Sequence, residues 1–212
     1  MGTDYKVKLR TYDDVGQSAD NLRAKLGLTN AYSFNIVDQI RRLIGTAFGD
    51  LGELSLHLYD GRPEFAFVTF KPLVLHVDKE IWAEAELGEP KARFVLAHEL
   101  GHIVLHGHYR QEFSEDEKAG LTFVPPEERS EPQAHWFAGH FLAPDWMVLD
   151  CRTEFEISQM FGFPSDYIHL KREAFARKRA RPSSGLCSRC GEFAMKGEWL
   201  TRRCTECGWA EA

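Results

Sequence analysis

Apolar positions along this chain change rhythm, and the changes divide it into elements. Residues 18–26 (SADNLRAKL) and 33–44 (SFNIVDQIRRLI) repeat at helical spacing. The first is closed by Gly27; the second is capped by Ser33 and ended by Gly45. Residues 53–59, 64–70 and 73–78 alternate or run apolar, which predicts three strands. Asp60-Gly61 turns the chain between the first two, and Lys71-Pro72 separates the second from the third. Residues 79–88 suit a short helix or turn. Glu89-Pro90 then opens a longer helix, with proline in its first turn. Residues 107–126 show no periodicity and carry Glu112, Glu115, Asp116 and Glu117, as an acidic surface loop or a lid over a site would. A further helical stripe follows, built on Ala134, Phe137, Ala138, Phe141 and Leu142. This helix–sheet–helix order predicts an α+β fold.

The helix after Pro90 reads RFVLAHELGHIVLH and is apolar nearly all round, as a buried helix is. Two histidines and a glutamate inside it, His98, Glu99 and His102, are costly unless something satisfies them. Residues four apart in a helix share one face. Two imidazoles at that spacing can hold one zinc ion, and Glu99 beside them can serve as general base toward a water in an open position. A structural histidine pair would fit the five-residue pattern alone. The motif supplies two ligands, so a catalytic zinc site needs a third.

Two sources are open. His108 falls where a longer metallopeptidase pattern has its last histidine, but Leu105 stands where that pattern needs a glycine turn. The other source is Glu131, one to two turns before the next apolar stripe and on the side of Ala134, Ala138 and Phe141. A solvated glutamate stabilised by the helix dipole would look the same locally.

RFVLAHELGHIVLH followed by EPQAHWFAGHFLAP resembles the ImmA/IrrE family of zinc metallopeptidases. Its second motif, Glu-x-x-Ala-x-x-Phe-Ala-x-x-x-Leu-x-Pro, is matched by Glu131, Ala134, Phe137, Ala138, Leu142 and Pro144. Ala143 departs from the larger apolar residue usual there. The resemblance covers roughly residues 16–170. It implies a zincin-like metallopeptidase core with His98, His102 and Glu131 as ligands and Glu99 as catalytic base. It further implies that the substrate is a helix-turn-helix repressor, cleaved in a stress or DNA-damage response so that genes are derepressed. His106 extends the series by one turn. In the family this histidine is not a ligand, and a role behind the ligands is open to it. His135 and His140 lie on the second helix; either could approach the site or be structural. In such peptidases an exposed strand edge commonly binds the substrate backbone, and residues 73–78 are the candidate unless they form an interior strand.

Composition adds a second metal and limits the setting. Cys187-x-x-Cys190 and Cys204-x-x-Cys207, each followed by glycine, have the spacing of a four-thiolate structural zinc ribbon. Cys151 is left over, as a small apolar residue. Metal-binding rather than disulfide-bonded cysteines, no apolar run near ~20 residues and no apolar signal core predict a cytoplasmic protein without membrane contact. Residues 171–203 hold ten Lys and Arg against three Glu, whereas the whole chain carries −6. The basic helix expected over 165–180 and the helix-turn-helix-like ISQMFGFPS before it raise DNA or RNA contact as a possibility; a solvated basic face is the plainer account. Expected domains are a peptidase unit over 1–181 and a linker with ribbon over 182–212.

These patterns predict a zinc endopeptidase with a structural zinc ribbon, and the family resemblance implies a repressor protein as its substrate. Two other classes fit fewer features: a nucleic-acid-binding regulator with a vestigial zinc site, and a toxin–antitoxin component whose zinc site does not cleave.

Overall fold

Short-range capping decides where the first helices begin. The computed structural model describes residues 4–61, 65–107, 124–148, 151, 153–162, 168, 171, 195–196 and 203–204. Helix α1 (Tyr12–Lys25) starts well before the expected Ser18. The side chain of Thr11 accepts from the Asp14 amide and the Asp14 carboxylate accepts from the Thr11 amide, a reciprocal cap that outweighs the later serine. Helix α2 (Ile36–Leu43) is capped by Asn35 instead of Ser33; the Asn35 side-chain oxygen accepts from the amides of Val37 and Asp38.

Strands β1 (Ser55–Tyr59), β2 (Ala66–Phe70) and β3 (Leu73–Asp78) form the expected small sheet. Its order is β1-β3-β2, with β3 parallel to β1 and antiparallel to β2. Residues 73–78 are therefore the central strand, with both backbone edges paired, and they cannot accept a substrate strand. This corrects the expectation drawn from sequence. Leu73, Leu75 and Val77 face the core, while Val74, His76 and Asp78 take the other side.

Helix α3 (Lys79–Leu87), capped by Asp78, leads into α4 (Pro90–His106). Helix α5 (Ser130–Leu142), a short turn α6 (Asp145–Val148) and α7 (Glu154–Phe161) complete the mixed α+β unit. Helix α4 runs through the middle: Leu96, Leu100 and Ile103 are buried with Val15 and Ala19 of α1, Ile40 of α2, Leu75 of β3 and Phe137 and Phe141 of α5. No helix among the described residues is long and apolar enough to cross a membrane.

Two buried arginines tie helix ends together without a carboxylate hydrogen-bonded to either. Arg23 donates to the carbonyls of Phe141, Leu28 and Ala31. Arg93 donates to those of Phe161, Gly162 and Phe34. Both guanidinium groups lie against the Phe34 ring, 5.5 and 5.8 Å from its centroid. Each thereby satisfies a carbonyl in the last turn of a helix, that of Phe141 for Arg23 and that of Phe161 for Arg93.

The chain divides into two units, Met1–Ile168 and His169–Ala212. In the second, β4 (Met195–Lys196) pairs antiparallel with β5 (Arg203–Cys204). Cys187, Cys190 and Cys207, most of the expected basic helix 165–180 and the expected 181/182 boundary lie outside the described residues, as do His108 and the acids at 112–117. Only the backbone of Cys204 is described.

Replacing Arg23 by Met removes its bonds to three carbonyls, of which that of Leu28 keeps the Ala31 amide as a donor. The expected cost is about 2–4 kcal/mol, seen as a lower urea midpoint at an unchanged slope.

Candidate metal centre

The site is made by a close crossing of two helices. Gly101 of α4 packs directly on α5: a Cβ there would sit 3.1 Å from the Cβ of Phe137 and 3.2 Å from the Cα and carbonyl oxygen of Ala134. The missing side chain lets the backbones approach, and the approach brings the first turn of α5 against the histidine face of α4. Glu131 lies in that turn.

The three donor groups converge. The Nε2 atoms of His98 and His102 are 3.0 Å apart. Glu131 Oε2 lies 3.3 Å from His98 Nε2, and Glu131 Oε1 lies 3.3 Å from His102 Nε2. One donor atom from each of the three lies within 4.8 Å of the others, and among the described residues this is the one group of three or more that could hold a metal ion. His98 and His102 are buried and Glu131 is mostly so.

The arrangement fits a divalent ion. Zinc–ligand bonds of about 2.0–2.1 Å at tetrahedral angles would space donor atoms about 3.3 Å apart. Glu131 Oε1 is buried and lacks a well-formed hydrogen bond, as does His98 Nδ1. Burial lowers the pKa of His98 to about 4, so its imidazole is neutral and keeps a lone pair for a metal. Two imidazoles and a carboxylate are a donor set suited to zinc.

Glu99 is buried and opens onto a cleft lined by Phe65, Ala66, Phe94, Val95, His98, Glu99 and His135. Burial pushes its carboxyl up to about 7, the range in which a carboxylate can both take and return a proton. The cleft runs beside the start of β2, which is an edge of the sheet among the described residues.

The other histidines separate. His135 lines the cleft, its ring 4.6 Å from that of His98, with Nδ1 hydrogen-bonded to the Glu131 carbonyl oxygen. His106 is fully buried behind His102, their Nδ1 atoms 3.0 Å apart. His140 is not among the cleft-lining residues; it packs on Gly16 and the Tyr12 ring and approaches Asp145.

Several residues at this site gave no local signal in sequence. Asp4 caps α5 from the far end of the chain: its Oδ1 accepts from Ser130 Oγ and from the Glu131 amide. Its Oδ2 pairs with Arg129. Helix α5 has no side-chain cap of its own. The arm after Asp4 runs antiparallel to residues 127–130, with Val7 donating to the Glu128 carbonyl, Arg10 to that of Glu127 and Ser130 to that of Tyr5. Gln133 is fully buried and bonds both this arm and His106. A buried-face glutamine two residues after Glu131 was the one available hint.

Residues 54–165 match the family described as IrrE N-terminal-like domain, Peptidase M78. The chain belongs to this family. Its members are zinc peptidases. Over 98 residues the chain is 35% identical to the Uncharacterized immunity region protein 2 of Bacillus phage phi105. That match takes in 44% of this chain and 59% of the phage protein, so the chain spans somewhat over half of that relative. A Mycobacterium tuberculosis transcriptional regulator has a similar fold, with a TM-score of 0.50 and 17% identity over 80% of this chain and 57% of that one. The three strands, α4 and α5 all fall inside the IrrE-like match.

Gly101→Val should force α5 away from α4. We expect a loss of about 1–3 kcal/mol in stability from overpacking and a weakened affinity for zinc, read by competition with a chromogenic chelator. Unchanged zinc affinity would show that the crossing does not position Glu131.

Proposed function

We propose that this protein is a zinc-dependent endopeptidase acting on a transcriptional regulator, with a helix-turn-helix repressor as substrate. The observation that carries it is the convergence of His98, His102 and Glu131 beside a buried, proton-competent Glu99 at the mouth of an apolar cleft. The family and the regulatory setting in the names of the phage and mycobacterial proteins support it.

In this reading His98, His102 and Glu131 would hold zinc, which would supply Lewis acidity toward a peptide carbonyl and toward water. Glu99 takes the proton of the attacking water and delivers it to the leaving amide nitrogen. An extended substrate segment lies along the outer edge of β2, adding a strand to the sheet. One of its apolar side chains enters the cleft between Phe65, Ala66, Phe94 and Val95. His135, on the cleft wall, is the candidate partner for the carbonyl oxygen as it gains charge. The same reading includes a second zinc, structural, on Cys187, Cys190, Cys204 and Cys207, and a cytoplasmic location where repressors are found.

The decisive experiment is co-incubation of the purified chain with small helix-turn-helix repressors, beginning with any whose gene adjoins its own. A discrete fragment that disappears with chelator is expected. Glu99→Gln should keep its zinc and lose cleavage by at least about 10²-fold, the scale of general-base catalysis. Zinc retention together with undiminished biological effect in Glu99→Gln would exclude proteolysis as the mechanism.

Metal content tests the two centres separately. About two zinc ions per chain are expected. One should be lost in the His98→Ala, His102→Ala double variant and the other in Cys187→Ser, Cys190→Ser. A single equivalent in fully loaded protein removes one of the two sites.

A further inference from the structure

A hydrogen-bond chain leads from the N-terminal arm to His102, and its polarity can be deduced link by link. One terminal atom of the Gln133 amide faces two carbonyl oxygens, that of Lys8 at 2.9 Å and that of Glu127 at 2.6 Å. Carbonyls only accept, so this atom must be the nitrogen, donating both its hydrogens. The other amide atom is then the oxygen, and it lies 3.1 Å from His106 Nε2. An amide oxygen also only accepts, so His106 Nε2 must carry a hydrogen.

His106 has no exposed surface and packs edge-on against the Tyr5 ring. Burial without a hydrogen-bonded carboxylate keeps it neutral. With its one hydrogen on Nε2, its Nδ1 is a lone pair. That lone pair faces His102 Nδ1 at 3.0 Å. The bond forms only if His102 carries a hydrogen on Nδ1; in a singly protonated ring that leaves Nε2, which lies 3.0 Å from His98 Nε2 and 3.3 Å from Glu131 Oε1, as the lone pair.

We propose that Gln133 and His106 are positioning residues that lock His102 in its Nδ1–H tautomer, so that the Nε2 lone pair is set for a metal before any metal arrives. The lock is anchored in the arm by the Lys8 carbonyl. His98 has no counterpart among the described residues, since its Nδ1 is buried without a hydrogen-bond partner there. This inference rests on the zinc reading of the site for its consequence, although the tautomer itself does not.

The test is nitrogen-15 NMR on the full chain, histidine-labelled and stripped with chelator. The expected spectrum shows His102 as the Nδ1–H tautomer, coupled across the hydrogen bond to His106 Nδ1. His106→Leu removes the acceptor, and His106→Asn restores an acceptor oxygen near the same point. His106→Leu should mix the His102 tautomers and weaken zinc affinity roughly 10- to 100-fold, with His106→Asn recovering most of that loss. An Nε2–H tautomer for His102 in the unsubstituted metal-free chain overturns the proposal, whatever the variants do. Equal weakening in both variants reduces His106 to packing and also overturns it. Failure of the unsubstituted chain to bind zinc would sink the hydrolytic reading, while the tautomer spectrum would still decide this one.

Discussion

Backbone contact between α4 and α5 at Gly101 is the constraint on which the rest of the site depends. Two imidazoles one turn apart belong to a single helix and would be adjacent in any fold that kept the helix. The carboxylate belongs to another element, and its distance from them is set by how closely two cylinders pack. Interaxial spacing follows from the side chains at the contact. With hydrogen at Gly101 and methyls at Ala134 and Ala138, the spacing is small enough for the short side chain of a glutamate to close it. The same contact buries the histidines, and burial keeps His98 neutral and available as a donor.

The polar groups around the centre form a layered set. The inner layer is His98, His102 and Glu131. Behind it stand His106 and Gln133, and behind those the backbone of residues 4–10. Each layer orients the one inside it, which is how a site reaches the tolerance that metal coordination requires. The two buried arginines do similar work on the scaffold. Arg23 holds the C-terminal end of α5, and Arg93 fastens α4, close to the cleft, to the end of α7.

Much of this could be read from the residues in order. Helix α4 announced itself because an all-apolar helix that carries two histidines and a glutamate contradicts itself unless the polar groups meet a common partner. Glu131 could be named because its helix is apolar on the side it shares. The sheet was visible as alternation, yet its strand order was not: LVLHVD buries the same residues at an edge or in the centre, so alternation carries no record of which neighbours are paired. The start of α1 was missed because the helical spacing of apolar residues was read only from residue 18, whereas the reciprocal Thr11–Asp14 pair had already begun the helix. The roles of Asp4 and Gln133 could not be read for a different reason. Their partners lie far away in sequence or behind other side chains, and no local periodicity encodes them.

The separation between Asp4 and the helix it caps has a temporal meaning. The Tyr5 amide and the Ser130 hydroxyl meet across 125 positions of chain. A ribosome that has released only α4 has produced both imidazoles but neither the carboxylate nor the strand that the N-terminal arm lies beside. Contacts of such long range close late in folding. Residues 4–10 thus wait for residues 127–131 before they can pair, and the centre closes only when the polypeptide that could bind metal is already wrapped around the place where it will sit.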